Sequence, residues 1–439
     1  MRRKPGWPAL TLIPLLLLGA CARGGGEAGG EAKTGAENPP PDGPVTLKLY
    51  SLGAGINTDT DVNDIFLKPL KDKYPNISIE LIKNMNLDQL VASGTIPDLI
   101  ATSNYYMISP VELGLASDLN DFVKKEKIDL NRFEPEAVRV IRNFGKNGEL
   151  YGIPFSLNYG MLAYNKDIFD KFAVPYPRDG MTWSQIIELA RKVTRSDGGT
   201  QYVGLDPGPA LSLVRAHSLP LLDAKQEKAV LTTEGFQKVF SLFKEIYDIP
   251  GEISPDNKLN YGINGFLKDQ KLAMYPYWIS AFATSLSAAG DAAKSFDWDL
   301  VTYPTNDHRP GVGREIDFHL LMVPPSSQNK EAAYHVIKTL VGDEAQKAMN
   351  SGARLTILND LNLRKQFAAS MNVFEGKNIS GIFKVTPAPL PPSSDYDIKI
   401  YSILGEALKS MAVDKQDMNT VLRTANEQAN QYIQEQKSK

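Results

Sequence analysis

The stretch that decides the fold runs from Gly148 to Phe169 and reads GELYGIPFSLNYGMLAYNKDIF. Gly148, Gly152 and Pro154 interrupt an apolar run, and a second apolar run follows from Tyr159 to Tyr164. Glycine and proline punctuate elements rather than extend them. Upstream, Val45 to Tyr50 alternates apolar and polar residues, which reads as a strand. Asp61 to Tyr74 puts Val62, Ile65, Phe66 and Leu70 on one helical face, and Ile77 to Leu81 is again a strand. Asp98 to Thr102 follows Pro97 as a short buried strand. Strand and helix alternate, the rhythm of a sheet with helices on its faces. The same rhythm resumes beyond 158, so residues 148–158 mark a boundary between two α/β lobes.

Downstream, Thr182-Trp183-Ser184-Gln185 has capping-box spacing, followed by the apolar stripe Ile186, Ile187, Leu189, Ala190 and Val193. Thr233 opens a helix that Pro250-Gly251 stops. Strands are expected at Lys271 to Tyr275, Trp298 to Tyr303 and Asp317 to Val323, and helices at Asn329 to Val341 and Glu344 to Asn350. The C-terminal third reads as helical.

The chain's start has a different character. Arg2, Arg3 and Lys4 precede an uncharged stretch from Trp7 to Ala20. This falls short of the ~20 apolar residues that span a bilayer. A basic head, a short apolar middle and small residues before a cut site describe a signal peptide over residues 1–20. Cys21 is the only cysteine among 439 residues. At the signal's edge it cannot be a core residue, which leaves an intermolecular disulfide or a lipid attachment. Leu18-Gly19-Ala20-Cys21 resembles the lipobox of bacterial lipoproteins, which implies lipidation of Cys21 and anchorage at the cell membrane, facing the extracellular side or periplasm. Residues 22–44 are rich in Gly, Ala, Glu and Pro and hold no large apolar residue. With Cys21 they would form a lipid-anchored flexible tether, 21–44, expected to span roughly 25–30 Å. The whole chain is 42% apolar, ample for a core in the part beyond the tether.

Composition and motifs exclude much. The net charge is −3, and removing three cations with residues 1–20 leaves −6. There is no basic stripe, so no nucleic-acid partner is expected. No phosphate loop, dinucleotide fingerprint, paired histidines or nucleophile elbow occurs. His217, His308, His319 and His335 are scattered. Asp59-Thr60-Asp61 opens like a calcium loop, but Asp64 stands where the turn needs glycine and Leu70 where the site needs glutamate. No catalytic residue, metal or cofactor is expected. Aromatics are more telling. Tyr105-Tyr106 and Tyr275-Pro276-Tyr277-Trp278 follow strand ends, and Tyr159 follows the break at Asn158. Ligand crevices lie outside the carboxyl ends of strands in α/β sheets. Each aromatic alone reads equally well as core; their recurrence at loop positions favours stacking on sugar rings.

Five blocks in order carry a resemblance. Gly148 to Phe155, Leu162-Ala163-Tyr164-Asn165-Lys166-Asp167-Ile168-Phe169, Met181-Thr182-Trp183, Phe266 to Met274 with Trp278, and Asn329 to Tyr334 with Gln346 resemble the extracellular solute-binding proteins of bacterial ABC sugar importers. Maltose-binding protein belongs to that family. Gln270 stands where the family usually has glycine.

The resemblance spans 45–439 and implies a two-lobed periplasmic-binding-protein fold joined by hinge strands. The first lobe would hold 45–154 and 297–340, the second 155–296 and 341–439. A carbohydrate, foremost an oligosaccharide, would sit between them and be delivered by a monomer to an ABC permease. By matched position, Trp278 would stack on the ligand, and Tyr159 and Asn158 would line the hinge. Asn57, Asp59, Asn104 and Tyr105 would supply contacts from the first lobe, with Asp317 from a late strand and Arg354 as a weaker candidate. Trp183 would pack structurally. The alternative is a receptor that presents its ligand to a membrane sensor kinase; a secreted enzyme on sugar polymers lacks a catalytic constellation.

Overall fold

The structure, a computed structural model, describes residues 43–438; the expected signal peptide, Cys21 and nearly all of the tether lie outside the described residues. Among the described residues eleven strands form two sheets. They are β1 (Val45–Leu52), β2 (Ile77–Leu81), β3 (Leu99–Ser103), β4 (Ile153–Asn158), β5 (Gly160–Asn165), β6 (Arg195–Asp197), β7 (Thr200–Leu205), β8 (Leu272–Trp278), β9 (Trp298–Thr302), β10 (Asp317–Met322) and β11 (Leu355–Thr356). The first sheet has the order β11-β4-β10-β3-β1-β2 and the second β6-β7-β8-β5-β9.

In the first sheet β2, β1 and β3 run parallel, with Leu49 opposite both Leu81 and Leu99. β10 enters antiparallel between β3 and β4. Every residue of β3, β4, β5 and β10 is buried, as expected of strands covered on both faces. The capping box at Thr182 forms, with the Thr182 hydroxyl accepting from Gln185 N and the Gln185 side chain returning to Thr182 N. It starts the helix Trp183–Val193 and leaves Trp183 fully buried. The helix expected at Asp61 starts at Asp59, capped by Thr58, and ends at Leu70. A π turn, Asn63–Leu67, interrupts it. Pro69 is the reason: it has no N–H for the Ile65 carbonyl and would clash with it in a regular turn.

The stretch that opened the sequence reading crosses between the sheets. β4 ends at Asn158, β5 begins at Gly160, and Tyr159 alone lies between them. A Cβ on Gly160 would lie 2.8 Å from Arg314 Cβ and 3.1 Å from Tyr303 Cδ2. The glycine therefore lets the returning segment, 303–316, press against the outgoing one.

The strand pairing corrects two expected lobe boundaries. β9 was expected in the first lobe, in 297–340, but it pairs with β5 in the second sheet. Residues 343–356 were expected in the second lobe. β11 instead pairs with β4, and the helix Asp343–Ser351 packs on β11. Sheet membership depends on partners far away in sequence, and no local pattern names them. Two apolar cores result. One runs from the first sheet past Phe266, Phe282 and Trp298 on one face of the second sheet. The other covers the opposite face of the second sheet with Trp183–Val193, Glu234–Tyr247, Asp397–Ala412 and Met418–Lys437.

Candidate functional site

The strand ends at the crossing open onto a cleft of about 1440 Å³. The loop after β1 lines it with Gly55, Asn57 and Thr58, and the end of β4 with Leu157 and Asn158. β8 contributes Tyr277 and Trp278, and β10 contributes Asp317 and His319. Ser280 and Arg354 complete this part of the wall.

Four of the eight sequence-predicted contact residues, Asn57, Asn158, Trp278 and Asp317, thus come together. Asn158 Oδ1 accepts from Ser280 N at 2.9 Å, tying the end of β4 to the helix Ile279–Ala289. Trp278 is half-buried, and the Arg314 guanidinium lies 3.8 Å from its ring centroid.

The other four lie elsewhere. Asp59 is exposed and paired with Lys83 at 2.7 Å. Asn104 is buried, with Oδ1 accepting from Phe318 N at 3.1 Å while its own N–H donates to Phe318 O. Tyr105 donates to Glu315 Oε1 at 2.6 Å and lines a second cavity of about 690 Å³ with Tyr106, Glu112, Arg215, Asp395 and Tyr401. Burial pushes its hydroxyl well above the ordinary tyrosine range. Tyr159 is buried under the crossing, where its hydroxyl meets Glu134 and Arg364 at 3.3 Å each. Burial again raises its pKa, with the nearby Arg364 opposing.

The sequence reading missed the charged layer beneath the cleft. Glu315, fully buried, faces Arg215 Nε at 3.1 Å and Arg314 Nε at 3.5 Å. Burial works against the Arg314 cation, but Glu315 and Tyr303 beside it raise its pKa. The Arg215 guanidinium stacks 3.8 Å from the Tyr105 ring centroid. Glu315 Oε2, Arg314 Nε and Asp317 Oδ1 are buried with no hydrogen-bond partner. The one local signal was the run Arg314-Glu315-Ile316-Asp317 before a buried strand.

Arg354 reaches across to the β1 loop, donating to Ala54 O at 3.2 Å and Gly55 O at 3.1 Å. It also meets His319 Nδ1 at 3.1 Å. A guanidinium only donates, so Nδ1 is the acceptor and a neutral His319 carries its proton on Nε2. That nitrogen faces Asp317 Oδ2 at 3.5 Å. Among the described residues no group of three or more His, Cys, Asp or Glu is arranged to hold a metal ion. Asp61, the third position of the calcium-like loop, accepts from Asn57 N and Thr58 N as a helix cap.

This architecture is that of known sugar receptors. An ABC substrate-binding protein from Listeria monocytogenes in complex with cycloalternan superposes with a TM-score of 0.69 at 18% identity, covering 88% of this chain and 98% of that one. The sugar-binding protein MalE from Xanthomonas citri gives 0.69 at 15% identity, covering 90% and 98%. A sugar transporter protein from Rhizobium etli, in an open conformation, gives 0.65 at 23% identity, covering 88% and 99%. Residues 73–374 match the model of the bacterial extracellular solute-binding protein family. The chain belongs to that family, whose members bind solutes outside the cytoplasm. No helix among the described residues is long and apolar enough to cross a membrane.

Proposed function

We propose that this protein is a lipid-anchored, monomeric receptor that captures an oligosaccharide in the cleft and delivers it to an ABC permease. The cleft carries the reading. Trp278 lines it together with Asn57, Asn158 and Asp317, an aromatic face among polar groups that can bond sugar hydroxyls. At about 1440 Å³ it exceeds the ~300–1,000 Å³ of common small-molecule pockets, leaving room for more than one ring. The Listeria relative's cycloalternan and the mannobiose bound to another structural relative point to the same ligand class.

Capture follows from the connections. Two segments among the described residues, at Tyr159 and at 303–316, join the sheets, and residues 357–396 run from β11 to the helices over the second sheet. Rotation about them opens the space, and a ligand that touches both walls favours closure. The closed form is what a permease would read. No feature of the described residues favours the sensor-kinase alternative. Thermal unfolding against a panel of mono- and oligosaccharides tests the proposal. A ligand at 100 times its Kd adds about 2.7 kcal/mol, a clear rise in Tm. No shift with any sugar would overturn the carbohydrate reading and leave the fold standing.

A further inference from the structure

Arg354 differs from the buried arginines among the described residues. Arg215 and Arg314 face Glu315, and Arg364 faces Glu134. Arg354 has no carboxylate partner among the described residues. Its acceptors are the carbonyls of Ala54 and Gly55 and the neutral nitrogen of His319, and its guanidinium lies 5.9 Å from the Phe155 ring centroid. Two acids act on it from a distance, Asp61 and Asp317. Both are otherwise engaged: Asp61 caps its helix, and Asp317 faces the other nitrogen of His319.

The side chain is nevertheless reachable. Arg354 is half-buried and lines the cleft with Asn158, Trp278 and Asp317. Of its five N–H donors, three are used, and Nε with one donor on Nη2 has no protein acceptor. The three neutral acceptors aim the planar fork without neutralising it. A planar fork with two free donors matches a carboxylate better than a hydroxyl. Burial lowers the pKa of Arg354 to about 10, and Asp61 and Asp317 offset that only in part.

We infer that the ligand is an acidic oligosaccharide and that Arg354 receives the carboxylate of a uronic-acid residue. The inference rests on the receptor reading and sharpens its substrate class. Trp278 then takes a ring face and Arg354 the acid.

The test is calorimetry on the full chain with matched neutral, uronate and sulfated di- to tetrasaccharides, at low and high salt. Uronates are expected to bind at least ~10-fold more tightly than neutral counterparts at low salt, with an advantage that shrinks as salt rises. Arg354→Gln should abolish the preference for uronates over neutral sugars, and Arg354→Lys should keep part of it. If Arg354→Gln does not fold, the salt series on the unaltered protein decides. Equal or tighter binding of neutral sugars overturns this inference and leaves the receptor reading intact. Binding of sulfated but not uronate sugars overturns the carboxylate assignment. Binding of no sugar overturns both readings.

Discussion

The Arg314 guanidinium lies 3.8 Å from the Trp278 ring centroid, and its Nε lies 3.5 Å from Glu315. One side chain of the returning segment thereby joins the aromatic on the cleft wall to the buried carboxylate between the sheets. It holds one face of the indole and leaves Trp278 on the cleft lining. Trp278→Ala should weaken sugar binding by about 1 kcal/mol or more, roughly fivefold in Kd by titration calorimetry. Unchanged affinity in a folded variant would remove Trp278 from the binding surface.

The crossing is held by a second buried ion pair. Arg364 Nη2 donates to Glu134 Oε2 at 2.7 Å, and the Tyr159 hydroxyl joins both. Arg364→Ala leaves Glu134 buried without its cation, so urea unfolding should show a loss of about 3–5 kcal/mol. A loss within experimental scatter would show that the pair does not brace the crossing.

Carboxyls meet across the second cavity. The hydrogen bond of Glu112 to Asp395, with burial added, pushes the Glu112 pKa from its ordinary 4.5 to about 7. Between those values the folded protein keeps a proton that the unfolded chain loses. Stability from this pair is full below about pH 4.5 and is lost as pH rises through about 7. Tm should therefore fall across that window, and Glu112→Gln should flatten the fall. Glu252, pushed up to about 8 by burial, contributes with the same sign in both proteins, so their difference isolates Glu112. Parallel Tm curves would sink the idea.

Cys21→Ser should release the protein from membranes into the soluble extracellular or periplasmic fraction, read by fractionation and immunoblot. A variant that stays with the membrane would refute the lipid anchor.

What local chemistry writes into the chain was legible without coordinates. The apolar runs that became β4 and β5, the capping box at Thr182 and the strand–helix rhythm from Val45 each depend on neighbours within a few residues. So does the break at 148–158, from which the two-lobe reading followed. Four cleft residues, Asn57, Asn158, Trp278 and Asp317, had been expected from the positions matched in the family resemblance. Asn104 and Tyr159 have the right type and position, but their side chains turn into packing that no spacing reveals.

Local preference was enough to place the main strands and helices and the crossing point, because helix and strand preferences act over one or two turns of chain; the short strands β6, β7 and β11 carried no such signal. Long-range packing put β9 in the second sheet and β11 in the first. It also placed Arg215 100 residues from its partner Glu315 in sequence yet 3.1 Å away in space, and set Arg354 facing the cleft without an acid. Pairing across such separations is settled by which burial and charge compensation the whole chain can satisfy at once.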